Sequence, residues 1–226
     1  MNKVFLFCLS LLLLLSSCIE LIDDITIHND GSGTFKYTMN LSSSKIKVNS
    51  ILALDSINGK KVLSKAEIKS KINLFASHLK TQTGISNVSV SINVLELIVK
   101  FSCDFTSVST LQNGLKNALI AINNTKNTED LNQNWLSYDG EVLKRNIPLF
   151  SITLSDHVKE LDIDLLKTGN YTSINRFDRP IVKVEKVGAK INPSRTACML
   201  KVNTYDLHKN YSLIDNCIYL SPKKNK

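Results

Sequence analysis

The chain has 226 residues, of which 21% are charged, and a formal net charge of +8. Nearly all of the positive charge comes from Lys, because Arg stands only at positions 145, 176, 179 and 195. Nucleic-acid sites favour clustered Arg with aromatic residues between them, whereas the lysines here are scattered. The composition therefore argues against a nucleic-acid partner.

The N-terminal residues have the pattern of an export signal. Lys3 is followed by the apolar run Val4–Leu15, about a dozen residues long, which suits a secretory signal and is short of the ~20 residues that span a bilayer. Leu15-Ser16-Ser17-Cys18 follows directly and resembles the lipobox of bacterial lipoproteins. The resemblance implies cleavage before Cys18, a signal peptide of residues 1–17, and fatty acyl chains such as palmitate on Cys18.

A lipidated Cys18 predicts where the protein works. Two or more acyl chains make membrane attachment stable, so the function is exercised at a membrane surface. We expect residues 18–24 to form a short tether before the folded body. Ile19 and Glu20 lack the aspartate that retains some lipoproteins at the inner membrane, which favours the outer membrane and leaves the face open.

Apolar periodicity predicts alternating strands and helices. The predicted elements are a hairpin at Ile25–Met39 around Asp30-Gly31, helices at Leu41–Leu54, Ser64–Thr83 and Ser109–Ile122, two strands through Val88–Ile92 and Leu95–Phe105, a hairpin at Asp139-Gly140, a helix at Ser155–Lys167 and a strand at Ile181–Val187. Two of the helices carry capping-box pairs, Ser64 with Glu67 and Ser109 with Gln112.

This order predicts an α+β fold in which an antiparallel sheet carries helices on one face. The region would contain a ferredoxin-like βαββαβ substructure if Trp135–Tyr138 or a later strand completes it. We expect one domain over residues 25–226, with a possible internal boundary in the polar stretch 123–134.

Three cysteines remain after the signal and Cys18. Cys103 falls in the apolar register of its strand and is interpreted as a buried small side chain. A C-terminal hairpin of Thr196–Thr204 with Ile214–Leu220 could place Cys198 opposite Cys217 as a disulfide, while another register would separate the thiols. Both registers remain open at this stage.

The sequence offers little sign of catalysis. His28, His78, His157 and His208 are isolated, and neither a C-x-x-C pair nor a phosphate-binding glycine loop occurs. We therefore predict no enzyme activity, metal or cofactor. The best candidate for a binding loop is the stretch before Pro180 that contains Tyr171, Arg176, Phe177 and Arg179, because aromatic residues and Arg form binding hot spots.

The opening of the chain resembles one known group of proteins. The lipobox, the Asp30-Gly31-Ser32-Gly33 turn and Asn40-Leu41-Ser42 are similar to uncharacterised lipoproteins of the Bacteroidetes. The resemblance implies an envelope location and assigns a role to Cys18 alone. We expect a noncatalytic binding or scaffolding protein with an unknown envelope partner; the alternative is a lipid- or glycan-binding module with an apolar pocket between sheet and helices.

Overall fold

A computed structural model describes residues 19–57, 59–123, 134–146 and 163–223. Its strands are β1 (Glu20–Ile27), β2 (Gly33–Asn40), β3 (Ser56–Ile57), β4 (Lys60–Lys61), β5 (Ile85–Asn93), β6 (Ile98–Phe105), β7 (Leu136–Tyr138), β8 (Val142–Arg145), β9 (Asn170–Phe177), β10 (Ile181–Val184), β11 (Lys190–Ile191), β12 (Ala197–Asn203) and β13 (Asn216–Leu220). Its helices are α1 (Lys45–Leu52), α2 (Lys65–Lys80), α3 (Val108–Asn123), α4 (Ile163–Lys167) and α5 (Thr204–Lys209), with 3-10 turns at Ser42–Ser44 and Tyr211–Ile214. The predicted α+β class is confirmed.

Seven strands form the larger sheet, in the order β11-β12-β9-β1-β2-β6-β5. Neighbouring strands are antiparallel with one exception, since β1 and β9 run parallel from Glu20↔Asn170 to Ile27↔Phe177. The expectation of an antiparallel sheet is therefore wrong at this central pair. Parallel neighbours need a long crossover, which alternation within a single strand does not reveal.

The hairpin of β1 and β2 follows directly from local sequence. Gly31 adopts a φ of +90°, which favours glycine, and the Asp30 carboxylate accepts hydrogen bonds from the Ser32 N–H at 3.0 Å and hydroxyl at 2.6 Å. On one face of this hairpin Ile25 and Phe35 are buried in the core. The predicted hairpin is confirmed, although β1 already begins at Glu20.

Strands β2, β6 and β5 with helices α2 and α3 form a split βαβ arrangement, in which β6 lies between two strands that run opposite to it. The place beside β2 is taken by β1, whereas β7, the strand expected to complete the ferredoxin-like pattern, joins another sheet. The complete βαββαβ substructure is therefore not formed, because the N-terminal strand already occupies that edge.

The N-terminal cap of α2 agrees with the prediction from sequence, and that of α3 differs from it. Ser64 and Glu67 form the predicted capping box. At α3 the Ser107 hydroxyl accepts from the Thr110 N–H at 3.1 Å, while Gln112 bonds the Leu136 N–H at 2.8 Å. The predicted box of Ser109 and Gln112 is wrong because Gln112 is used to hold β7 against the helix.

The second sheet has the order β10-β13-β8-β7 and shares a core with the first. Leu143, Ile181 and Ile218 of this sheet are fully buried in the same cluster as Ile25 and Ile27 of β1. The short pair β3-β4 is separate. Of the predicted boundary at 123–134, residues 124–133 lie outside the described residues.

The larger sheet has two ends that differ in chemistry. We call the end where β1 begins and β2 ends the basal end; it also holds the turn at residues 94–97, the start of β9 and the end of β12. We call the opposite end, with the β1–β2 turn at residues 28–32, the distal end. The chain enters the fold at the basal end.

Candidate functional site

The four residues of the predicted binding loop do not share one surface. Tyr171 and Phe177 lie in β9 and are buried, while Arg176 of the same strand faces the other way and forms an ion pair with Asp24, with Nε–Oδ1 at 2.9 Å. Arg179 is buried and donates to the Ser221 carbonyl at 2.6 Å. The loop prediction is wrong because three of the four residues lie in a strand of the sheet, in which successive side chains point to opposite faces, and Arg179 after it is buried.

The cysteines are also placed differently from the predicted hairpin. Strand β12 pairs with β9 and β11, and β13 pairs with β10 and β8, so Cys198 and Cys217 belong to different sheets. All three described cysteines are free. Burial raises the pKa of the Cys103 thiol to about 12 and of the Cys198 thiol to about 11. The proposed disulfide is therefore not formed, and neither buried thiol has the character of a nucleophile.

A buried polar cluster lies between the two sheets. Arg145, the last residue of β8, donates from Nη2 to the Asp23 carboxylate of β1 and, at 2.9 Å, to the Tyr171 hydroxyl of β9. Asp23 and Arg145 are 2% and 5% exposed, so this is an ion pair removed from water. It joins the second sheet to the two parallel strands of the first.

The surroundings of Asp23 set its protonation. Burial raises the pKa of Asp23 to about 6, although the Arg145 charge and a hydrogen bond from Ser173 favour the ionised form. Nε and Nη1 of Arg145 and Oδ1 of Asn175 have no protein hydrogen-bond partner among the described residues. The Asp23 carboxyl could act as an acid or base only if a substrate reached it. At 2% exposure it offers no such access.

The remaining ionisable residues of the described ranges do not assemble a further centre. His28 lies 3.2 Å from Asp178 on the surface of the distal end, His78 is in the last turn of α2, and His208 is in α5. His157 lies outside the described residues. Within the described ranges no group of three or more His, Cys, Asp or Glu side chains is arranged to hold a metal ion.

The entry of the chain at the basal end is firmly held. The carbonyl of Ile19 accepts from the Asn170 N–H at 2.7 Å, and β1 begins at Glu20. A Cβ added to Gly169 would lie 2.2 Å from the Thr204 hydroxyl and 3.0 Å from Cβ of Ile19, so only glycine fits here. The close packing of Gly169 against Ile19 depends on strands that are distant in the chain, so no local pattern in the sequence predicts it.

The expected tether is shorter than predicted, because β1 begins at Glu20. Residues 20–24, predicted to link the anchor to the body, form the first part of β1 instead. Cys18 itself lies outside the described residues, and Ile19 alone separates it from the strand. None of the helices within the described residues is long and apolar enough to cross a membrane.

Comparisons with known proteins gave one distant likeness. No protein-family model matches the chain, and no curated protein matches it. Among solved structures, the NMR structure of the folded domain of LppM from Mycobacterium tuberculosis matches with a TM-score of 0.39 and 12% identity, covering 91% of this chain and 92% of that one. At these values the likeness supplies no basis for transferring a function.

Proposed function

We propose that this chain is a lipid-anchored protein of the bacterial cell envelope, with a noncatalytic binding or scaffolding role at the membrane surface. The observation that carries the proposal is the position of β1, which starts at Glu20, two residues after the lipobox cysteine. Two residues of extended chain span at most ~7 Å. A lipid on Cys18 would therefore hold the folded body against the headgroups.

The size of the body limits where a partner can bind. An eight-residue strand such as β1 is about 26 Å long, so the distal end would lie a few nanometres from the bilayer at most. Partners would accordingly be envelope components at the same membrane. The absence of aspartate at positions 19 and 20 favours the outer membrane for this attachment.

The noncatalytic role is supported by the placement of the ionisable groups. The Asp23–Arg145 pair is sealed between two sheets, and the His28–Asp178 pair lies on the surface with side chains 48% and 40% exposed. Active sites combine perturbed groups with an accessible cleft. Among the described residues, Asp23 is the carboxyl whose pKa burial raises to about 6, and it is inaccessible, as expected for a group that holds the fold together. The pKa of the exposed Glu67 is lowered to about 2 by Lys61 and by its capping box with Ser64, which is a structural role.

Metabolic labelling with an alkyne analogue of palmitate tests the anchor. The wild-type chain and the variants Cys18→Ala and Cys8→Ala are expressed in the native host and analysed for label and for membrane fractionation. Cys8 is the matched control, because it lies within the apolar signal rather than at the cleavage site. We expect label in the wild type and in Cys8→Ala and none in Cys18→Ala; label on Cys18→Ala would contradict the proposal.

The binding role is tested by crosslinking the native protein in intact envelopes, followed by purification in detergent and mass spectrometry. We expect an envelope component to be recovered with the wild type from outer-membrane fractions and to be lost with Cys18→Ala, which no longer holds the body at the membrane. Equal recovery with the two forms would contradict a role that depends on membrane attachment.

A further inference from the structure

The basal end displays large apolar side chains to solvent. Ile46 in α1 is 87% exposed and Leu95, in the turn between β5 and β6, is 77% exposed. Val187, in a turn after β10, is the other large apolar side chain above 70% exposure among the described residues. Single exposed apolar residues are common, whereas Ile46 and Leu95 lie in two segments at the same end of the sheet, the end where the chain enters the fold.

Hydrogen bonds join the segments that carry Ile46 and Leu95. The Leu41 N–H donates to the Leu97 carbonyl at 3.1 Å, and Nζ of Lys45 lies 2.8 Å from the Glu96 carboxylate. Ile46, which follows Lys45, and Leu95, which precedes Glu96, therefore lie in adjoining segments at the basal end. An ion pair bridges the segments that carry them.

The turn that presents Leu95 is ordered and strained. The Asn93 side-chain oxygen accepts from the N–H groups of Leu95 at 3.1 Å and Glu96 at 3.0 Å. Leu97 has a φ of +54°, a left-handed conformation that is costly for a residue with a branched side chain. The strand predicted over Leu95–Phe105 is present but begins three residues later, at Ile98, because the Asn93 side chain favours a turn. The fold thus holds Leu95 outward rather than in the sheet.

Basic and aromatic groups also lie at the basal end, on the other side of the larger sheet from the β5–β6 turn. Lys167 and Lys209 lie 5.9 Å and 4.1 Å from the ring of Tyr205, beside the end of β12. Lys45 balances the Glu96 charge, and Asn40 of β2 faces a second basal carboxylate, Glu20, at 3.5 Å. Asp206 of α5 is a third. Tyrosine and lysine are typical of the headgroup region of a bilayer.

The distal end carries several carboxylates. Asp30 lies in its turn, Asp104 is close by on β6, and Asp178 pairs with His28. Arg195 lies at the same end, but its guanidinium is bound to two carbonyl groups of β10. Carboxylates such as these are repelled by an anionic leaflet.

We propose that the basal end docks on an anionic phospholipid bilayer, with Ile46 and Leu95 inserted at the boundary between headgroups and acyl chains. The inference rests on the proposed lipid anchor, because the chain reaches Cys18 from Ile19 at this same end. An apolar side chain that enters the acyl boundary leaves water, which is favourable and adds to the hold of the lipid. The strands of the larger sheet then stand away from the membrane, with the distal end outward.

Site-specific fluorescence tests this orientation on the full chain. Ile46→Cys, Leu95→Cys and the control Val182→Cys are made in a Cys217→Ser background that retains Cys18, expressed in the native host, and labelled with bimane. Val182 is a suitable control because it is 60% exposed and lies near the distal end, where the Ile181 N–H bonds the Arg195 carbonyl next to the β9 terminus. The purified proteins are reconstituted into vesicles of phosphatidylethanolamine and phosphatidylglycerol that contain lipids with a nitroxide on the acyl chain.

The expected result is strong quenching at positions 46 and 95 and little at 182. In the labelled Ile46→Cys protein, adding Leu95→Asp should lower the equilibrium constant for contact between position 46 and the bilayer by about tenfold. Adding Val182→Asp to the same protein should leave that constant unchanged. Equal quenching at all three positions in a protein that remains in the membrane would overturn the docking and leave the anchor intact. A wild-type chain absent from the membrane fraction of the native host would instead contradict the anchor itself.

Discussion

Arg145 and Asp23 form a buried ion pair that connects the second sheet to the first strand of the larger one. Both residues come from segments whose local sequence gives no sign of the partnership. The pair also reaches Tyr171 on β9, so it holds the two parallel strands and the second sheet in one arrangement.

Removing one partner of this pair should destabilise the protein strongly. Arg145→Met leaves the Asp23 carboxylate without its counter-charge, and the loss typical of such a change is about 3–5 kcal/mol. The double variant with Asp23→Asn should lose less than the sum of the two single variants, because no uncompensated charge remains. Urea unfolding of the wild type, the two single variants and the double variant measures the coupling between the two side chains. Losses of unfolding free energy that simply add in the double variant would contradict the coupling.

The ionisation of Asp23 should give a recognisable pH dependence. The folded protein keeps the proton up to a pKa of about 6, whereas the unfolded chain loses it near 3.8. The stability from this group is therefore complete below 3.8 and is lost as the pH rises through 6. Relative to Asp23→Asn, which does not titrate here, the unfolding free energy of the wild type should fall by about 3 kcal/mol in all, most of it between about pH 4 and about pH 7.

Urea unfolding of both proteins at each pH measures this difference. The Asp23→Asn variant is the control, because it contains all the other titrating groups. A wild-type stability that stays parallel to that of Asp23→Asn over the whole range would show that the carboxyl is ionised normally in the folded state.

Two glycines should respond very differently to alanine. A Cβ on Gly33 would lie 1.9 Å from the Thr26 carbonyl oxygen and 2.6 Å from the Phe105 ring, so Gly33→Ala should cost about 3 kcal/mol or more. Gly140 has a φ of +101° and open space around it, so Gly140→Ala should cost about 1 kcal/mol through backbone strain alone. Thermal or urea unfolding compares them, and equal losses would refute the close approach at Gly33.

The thiols should remain reduced and differ in reactivity. Cys217 is half-buried and should be alkylated in the folded protein, whereas Cys103 and Cys198 are about 1% exposed and should react only after unfolding. Mass spectrometry after alkylation without reductant measures all three. A Cys198–Cys217 bridge in that experiment would mean that β12 and β13 are placed differently.

Local features of this fold were predictable, and distant ones were not. The Asp30-Gly31 turn and the Ser64–Glu67 capping box each depend on residues within a few positions, so the hairpin and α2 follow from sequence. The parallel pairing of β1 with β9 depends on two segments far apart in the chain, and no residue in either one encodes it.

The same difference between local and distant features applies to the cysteines and to the apolar side chains of the basal end. The Cys198–Cys217 hairpin assumed a short connection, whereas the intervening residues form α5 and a 3-10 turn and lead β13 into the other sheet. The apolar alternation of the sequence places Leu95 in the strand. The Asn93 side chain forms a turn there instead, because it accepts hydrogen bonds from the N–H groups of Leu95 and Glu96. The exposure of Ile46 and Leu95 at the chain entry becomes visible only when β1, β2 and β6 are aligned.

The most direct test of the account is mass spectrometry of the N-terminal peptide of the mature protein purified from native membranes. A lipid-anchored protein requires a peptide that begins at Cys18 and carries a diacylglyceryl group on the thiol, with or without a further acyl chain on the amine. A peptide that begins at another residue, or a Cys18 with a free thiol, would contradict the central claim.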